Sequence, residues 1–207
     1  MKSTVFWEVL SHWCFASIPA ARALRDLGDV EIAYAPGGGG GPLGYTPQML
    51  TWFYARGRLA YGRTFYADWC EGPQTSSWYA NAASFVAGEL LGDHIRAAEA
   101  FGKAALEERA LLGRREDSFA LAASLAGVSV AEIAARAEQP VVAQALASGN
   151  ERLKELALDE RPSILIENAN GDRALFKGLW QKDALVAAAE AMLRDEAAYR
   201  QAGPAPF

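Results

Sequence analysis

The pattern of apolar and polar positions predicts a β-α-β unit at the start of the chain. Val, Phe and Trp dominate the run 4–10, which is typical of a buried strand. A helix rich in alanine is expected from Cys14 to Leu27, with Pro19 either in its first turn or at a kink, and Gly28 ends it. The run 30–35 alternates like a second strand. Such a start predicts a parallel pair of strands with a right-handed crossover.

A glycine-rich loop and an aromatic-rich helix are predicted next. The run Gly37–Gly41 could present backbone N–H groups to an anion, but no Lys-Ser/Thr pair follows it, so a connector is favoured over an anion cradle. Thr46-Pro47 predicts a helix start, and that helix should reach about Arg56. Aromatic residues crowd the segment 52–69. Core packing is the favoured interpretation for them, and the walls of a ligand cleft are the alternative.

The remainder of the chain predicts a helical block followed by a strand pair and a last helix. Helical periodicity from about Ser76 to Ala157 indicates roughly four or five helices and no strand, one of them starting at Ser129 in a capping box. Strands are expected at 162–166 and 172–177, on either side of an Asn-Gly turn. The last helix should cover roughly 181–199.

This order of elements predicts the α/β class. A β-α-β start and a β-β-α end flank the helical block, and removal of the block leaves the thioredoxin topology. Residues 1–45 and 158–207 are therefore expected to form a thioredoxin-like domain, and residues 46–157 a helical insertion domain.

Composition narrows the possible partners. The chain has 207 residues, 51% of them hydrophobic, and a formal net charge of −5. Without a dense basic block, neither a nucleic-acid partner nor a membrane partner is expected. The N-terminus lacks the features of a signal peptide, which predicts a cytoplasmic location. Two cysteines and two histidines without ligand spacing predict neither a disulfide framework nor a metal site.

The sequence Ser11-His12-Trp13-Cys14 carries the candidate chemistry, because it lies between the first strand and the helix that follows. Unpaired N–H groups and the helix dipole stabilise a thiolate at such a place. Ser11 could donate a hydrogen bond to a thiolate, and His12 would titrate near neutral pH beside it. Structural roles are the alternatives: a helix cap for Ser11, a hydrogen-bonding role for His12 and an inert buried thiol for Cys14.

Three segments resemble the DsbA-like branch of the thioredoxin superfamily, which includes FrnE-type proteins, kappa-class glutathione transferases and 2-hydroxychromene-2-carboxylate isomerases. Residues 11–17 resemble both the Cys-Pro-Trp-Cys-[Tyr/Phe] motif of the FrnE type and the Ser-Pro-Tyr-Ser-Trp motif of the members that use glutathione. Residues 161–165 resemble the segment that holds the cis-proline. Phe176-Lys177-Gly178, followed by Asp183, resembles the segment that opens the last helix.

The resemblance implies a glutathione site. Ser11 would stabilise the thiolate, and Trp13, Arg161, Pro162 and Asp183 would contact the ligand. The peptide before Pro162 would be cis, the backbone of Arg161 would pair with the cysteinyl backbone of the ligand, and Asp183 would bind its γ-glutamyl amino group. Two departures are evident. Serine stands in place of the nucleophilic cysteine at position 11, and histidine stands in place of proline at position 12.

Three functions are compatible with these residues. The leading hypothesis is a cytoplasmic glutathione-dependent isomerase or transferase that acts on a small-molecule electrophile. The second is a thiol–disulfide oxidoreductase or protein disulfide isomerase that acts on a disulfide substrate through Cys14 as a monothiol, which requires an exposed thiol with a depressed pKa. The third is a non-catalytic adaptor. The resemblance also allows for a homodimer.

Overall fold

Strand β1 (Lys2–Trp7) lies inside a four-stranded sheet in the computed structural model, which describes residues 1–179 and 181–202. It pairs in parallel with β2 (Asp29–Tyr34) and antiparallel with β3 (Ser163–Glu167), and β4 (Arg173–Lys177) pairs antiparallel with β3. The strand order is therefore β2-β1-β3-β4. This sheet confirms the four predicted strands and the parallel first pair, although β1 ends at Trp7 and not at residue 10.

Helices account for the other regular elements of the described residues, apart from a short 3₁₀ turn at Gly37–Gly40. Five of them lie between residues 76 and 157, and no strand does, as the periodicity predicts. In chain order they are α1 (His12–Ala16), α2 (Ile18–Leu27), α3 (Pro47–Tyr61), α4 (Trp78–Leu91), α5 (His94–Leu106), α6 (Arg115–Ala126), α7 (Val130–Ala137), α8 (Pro140–Glu155) and α9 (Lys182–Ala202).

The two faces of the sheet are buried by different helices, because successive side chains of a strand point to opposite faces. Val5 and Trp7 belong to the main core, which also contains residues of α2, α4 and α9. Phe6 lies on the other face, in a smaller cluster with Leu153 of α8. The main core runs without a break from the sheet into the helical segment.

The helix expected from Cys14 to Leu27 is in fact two helices that meet at Ser17. The backbone N–H of Ser17 donates to Cys14 O (2.9 Å), and its hydroxyl donates to the same oxygen (2.8 Å), so α1 ends there. Pro19 then lies in the first turn of α2, where its missing N–H costs no helical hydrogen bond. The motif helix α1 is therefore only five residues long.

Helix α3 runs to Tyr61, five residues beyond the expected end at Arg56. It begins as predicted, with Thr46 Oγ1 accepting a hydrogen bond from the backbone N–H of Met49 at 3.2 Å. Gly62 ends it in the left-handed conformation (φ 68°), which glycine adopts without strain. The extra turn places more of α3 beside the motif helix.

No single helix of the described chain is long and apolar enough to cross a membrane. Helices α6 and α7 meet that test of length and composition only as a pair, and the pair is bent by 111° at the break between them.

Candidate functional site

A cleft of about 550 Å³ opens where β1 ends and α1 begins. One side consists of residues between Glu8 and Trp13, and the glycine turn contributes Gly37 and Gly38. Helix α3 supplies an aromatic and cationic wall that includes Phe53 and Arg56. Residues 159–161 close the remaining side. Segments distant in sequence thus meet around the motif.

Ser11 is both a helix cap and a lining residue of this cleft. Its Oγ accepts a hydrogen bond from the backbone N–H of Cys14 (3.4 Å) at the start of α1. Because the oxygen acts there as an acceptor, the hydroxyl hydrogen remains able to donate to a ligand. The capping role and the ligand-binding role predicted for Ser11 are therefore compatible in one geometry.

Cys14 is sealed inside the protein. Its side chain has no solvent exposure, and Sγ accepts a hydrogen bond from the backbone N–H of Glu8 at 3.4 Å. Burial raises the pKa of Cys14 to about 12, so the thiolate is scarce at neutral pH. A monothiol mechanism through Cys14 requires an exposed thiol with a depressed pKa, and Cys14 has neither property. The structure favours the alternative interpretation of Cys14 as an inert buried thiol.

His12 lies in a box of aromatic rings and is only 5% exposed. Ring centroids of Trp13 and Tyr54 are each 4.9 Å from that of the imidazole, and the centroid of Phe65 is 5.5 Å away. Burial first, and then the positive charge of Arg56, lower the pKa of His12 to about 4. The expectation that His12 titrates near neutral pH is therefore corrected: the imidazole is neutral in that range.

The Arg161–Pro162 peptide is cis, as the resemblance implies. The guanidinium of Arg161 is held by other parts of the fold, since Nε donates to Ala35 O and Nη2 donates to Asn150 Oδ1, each at 2.6 Å. A ligand in the cleft would therefore meet the backbone of Arg161 rather than its charge. Trp13 is half-buried and lines the cleft beside His12.

Asp183 is not among the residues that line the cleft. It lies in the first turn of α9 with its side chain 97% exposed, and its Oδ1 is 4.0 Å from Lys182 Nζ. Glu160 does line the cleft, next to Arg161, and its carboxylate is 3.9 Å from Lys177 Nζ. The structure thus supplies a carboxylate at the cleft, but from a different residue than the one expected.

Glu8 is a site residue that sequence reasoning missed. Its buried carboxylate accepts hydrogen bonds from the backbone N–H of Leu10 (3.2 Å), from Asn81 Nδ2 (2.8 Å), from Ser77 Oγ (2.7 Å) and from the backbone N–H of Gly37. Four donors satisfy an ionised carboxylate that burial would otherwise penalise. The sequence contained one signal for this role, because Glu8 is the one charged residue in the otherwise largely apolar run 4–10.

The glycine turn therefore binds an anion that belongs to the chain itself. The N–H of Gly37 is directed at Glu8, and Gly38 and Gly39 adopt left-handed φ values of 59° and 66° that fold the turn over the cleft. This agrees with the prediction of a connector rather than a cradle for an external phosphate. A fixed negative charge beneath the turn disfavours such a ligand.

Comparison with known proteins identifies the fold. No protein-family model matches the chain, and no curated protein matches it. Among solved structures, the cytosolic disulfide reductase DsbM from Pseudomonas aeruginosa superposes with a TM-score of 0.75 and 21% identity, covering 94% of this chain and 99% of that chain.

Two further structures agree. DsbM with GSH gives a TM-score of 0.74 at 20% identity, over 94% of this chain and 100% of that one. A 2-hydroxychromene-2-carboxylate isomerase gives 0.64 at 13% identity, over 99% and 100%. The chain therefore has the DsbA-like thioredoxin fold, in which a helical segment separates the β-α-β half from the β-β-α half.

Proposed function

We propose that the chain binds glutathione in the cleft and that the thiol of glutathione, held by Ser11, is the nucleophile of its reaction. One observation carries the proposal: Ser11 lines the cleft, whereas Cys14 has no solvent exposure. The chain's own sulfur at the motif is thus unavailable. A thiol brought by a ligand would find a donor in its place.

The hydroxyl of Ser11 supplies the main stabilisation of the thiolate. A free thiol has a pKa near 8.5 and is mostly protonated at neutral pH, whereas a hydrogen bond to a charged group contributes about 1.5–3 kcal/mol. At about 1.4 kcal/mol per pKa unit, one such bond lowers the thiol pKa by roughly one to two units. The dipole of α1 stabilises the thiolate less than the dipole of the longer predicted helix would, because α1 has only five residues.

The charges of the cleft suit a zwitterionic peptide. Arg56 lines it with an exposed guanidinium that no described carboxylate pairs within 4 Å, and it can bind a carboxylate of glutathione. Glu160 can take the γ-glutamyl ammonium that the resemblance assigned to Asp183. DsbM, a neighbour in fold, has a structure with GSH, which supports glutathione over other thiols.

Two reaction classes follow from a bound thiolate. It can add to an electrophilic carbon, where the product stays joined or, after rotation about a bond, the thiolate leaves again. It can also attack a disulfide, in which case one sulfur joins glutathione and the other leaves as a thiolate. The likeness to a disulfide reductase favours disulfide exchange, and the likeness to an isomerase favours reversible addition. Both classes use Ser11 in the same way.

The test is calorimetric titration of reduced glutathione into the wild type, Ser11→Ala and Cys14→Ser. Ser11→Ala should bind at least tenfold more weakly, a loss of about 1.4 kcal/mol, because the thiolate loses its donor. Cys14→Ser is the matched control and should bind as the wild type does. Absence of binding to the wild type overturns the proposal and leaves the non-catalytic adaptor. Activity that is lost only in Cys14→Ser would restore the monothiol mechanism.

A further inference from the structure

The two ring nitrogens of His12 lie in different surroundings. Nε2 is enclosed, and no described residue offers it a hydrogen bond. It faces Gly57 of α3, where an added Cβ would be 3.1 Å from Nε2 and 2.7 Å from Cδ2. Nδ1 is not enclosed in this way, and no described residue bonds to it either, while His12 is one of the residues that line the cleft. One nitrogen is therefore enclosed, and the other is not, in a residue that lines the cleft.

This asymmetry selects one tautomer of the neutral ring. A neutral imidazole carries a proton on one nitrogen and a lone pair on the other. A buried N–H without an acceptor is rarer and more costly than an unused lone pair. A C–H bond of Gly57 points toward Nε2. A lone pair on Nε2 is compatible with this C–H group, whereas an N–H would place two hydrogens against each other. The proton accordingly lies on Nδ1.

We propose that His12 is the second hydrogen-bond donor of the site, and that its Nδ1–H donates to the sulfur of the thiol bound beside Ser11. The inference rests on the proposed function, because it takes the thiol of glutathione as the acceptor. It assigns a ligand-binding role to a position where the resembling families have proline, which cannot donate from its ring. No proton is transferred, because the imidazole acts as a neutral donor throughout.

The groups around the ring keep it neutral. Helix α3 presents the rings of Tyr54 and Tyr61 to it, and the positive charge of Arg56 opposes an imidazolium. With a pKa of about 4, His12 keeps the same donor from roughly pH 5 upward. A donor that does not titrate suits a site whose ligand itself ionises near neutral pH.

A purely structural role explains the residue less well. The box around His12 consists of the rings of Trp13, Tyr54 and Phe65, and a phenylalanine would fill it without an unpaired nitrogen. The chain instead bears the cost of a buried Nε2 without a partner. The benefit must arise at Nδ1, on the side of the cleft.

The first experiment reads the tautomer in the ligand-free protein. The chain has two histidines, so the variant His94→Asn leaves His12 as the one imidazole to observe. Long-range ¹H–¹⁵N correlation spectra of the ring should show the Nδ1–H form, unchanged from pH 5 to pH 8. An Nε2–H tautomer, or protonation of the ring above pH 6, would overturn the inference even if glutathione binds.

The second experiment measures the pKa of the bound glutathione thiol from thiolate absorbance. His12→Leu should raise it by about one unit, a tenfold smaller thiolate fraction at a given pH below the pKa, and His12→Asn should recover part of the loss because its amide donates from nearly the same place. Binding of S-methylglutathione, which forms no thiolate, should change less than threefold in either variant. That ligand separates a lost donor from a damaged fold.

The outcomes separate the two proposals. If the wild type binds glutathione and Ser11→Ala weakens that binding, but the thiol pKa is the same in the wild type and His12→Leu, only the role of His12 is overturned. Equal loss of S-methylglutathione and glutathione binding in His12→Leu would reduce the residue to a packing role. Failure of the wild type to bind glutathione removes the proposed function, and the sulfur as acceptor with it.

Discussion

Asn81 donates a hydrogen bond from Nδ2 to Glu8 Oε1 at 2.8 Å, although 73 residues separate the two residues. Its Oδ1 accepts a second hydrogen bond from the backbone N–H of Val9, next to Glu8, at 3.2 Å. Helix α4 is thereby fastened to the end of β1. Ser77 and Gly37 donate to the other oxygen of the same carboxylate. Glu8 is the point where three segments of the chain are tied together.

Glu8→Ala should therefore be strongly destabilising. The substitution leaves three buried donors and the partly buried N–H of Gly37 without their acceptor, and the expected loss is on the order of 3 kcal/mol in the free energy of unfolding. Urea denaturation followed by circular dichroism measures it. Glu190→Ala, at an exposed position of α9, should stay within about 0.5 kcal/mol of the wild type. Comparable losses in both variants would contradict the role given to Glu8.

Thiol reactivity should differ sharply between positions 14 and 11. In Cys70→Ser at pH 8, Cys14 should resist alkylation, because a pKa of about 12 against an ordinary value of 9.0 leaves a thiolate fraction about a thousandfold smaller. Adding Ser11→Cys to that variant places a thiol in the open cleft, which should alkylate rapidly. Mass spectrometry with a peptide digest locates the label. Rapid stoichiometric labelling of Cys14 in the folded protein would refute its burial.

Stability should fall with acid partly through His12. The unfolded chain takes up a proton on this residue near pH 6.5, whereas the folded chain does so only near pH 4, so the unfolded state binds more protons in that window. The free energy of unfolding should therefore decrease by roughly 3 kcal/mol from this group between about pH 7 and pH 4. His12→Leu should lack that component, and the difference between the two proteins' urea curves measured at several pH values isolates it. Parallel pH profiles would contradict the lowered pKa.

Gly57→Ala should destabilise the protein in spite of the better helix propensity of alanine, which alone favours it by about 1 kcal/mol. The new Cβ would lie 2.7 Å from His12 Cδ2 and 3.3 Å from Phe65 Cδ2, and overpacking of this kind costs roughly 1–3 kcal/mol. Thermal and urea unfolding would report the loss. Repeating the change in His12→Ala removes the obstacle, and there Gly57→Ala should be neutral or stabilising. A loss of stability of the same size in both backgrounds would show that the His12 ring is not the group that the new Cβ contacts.

Local signals were sufficient for the elements and their order. Short apolar runs, Gly28, Thr46 and the Ser129 capping box are read from neighbours in sequence, and the corresponding strands and caps are present. The break at Ser17 was harder to see, because Pro19 permits either a kinked helix or a new first turn. Only the hydrogen bonds of Ser17 decide between the two.

The site was less accessible from sequence because its properties arise from distant residues. The pKa of His12 depends on its burial among side chains of α3, and the burial of Glu8 depends on Gly37, Ser77 and Asn81. Asp183 was expected at the site by resemblance, yet its side chain lies outside the cleft. The motif located the chemistry, while the surrounding contacts determine which of its groups can take part.

The residues that line the cleft come from segments spread along the chain, so binding in the cleft depends on the folded state of all these segments. Residues from the first strand end, the glycine turn, α3 and the segment before β3 must all be in place for a compound to bind. Such a compound binds the folded state alone. At a concentration of a hundred times its Kd it adds about 2.7 kcal/mol to the free energy of unfolding, and the melting temperature rises accordingly. A thermal-shift survey of thiols, disulfides and unsaturated acids can therefore rank candidate reactants by binding before their turnover is measured.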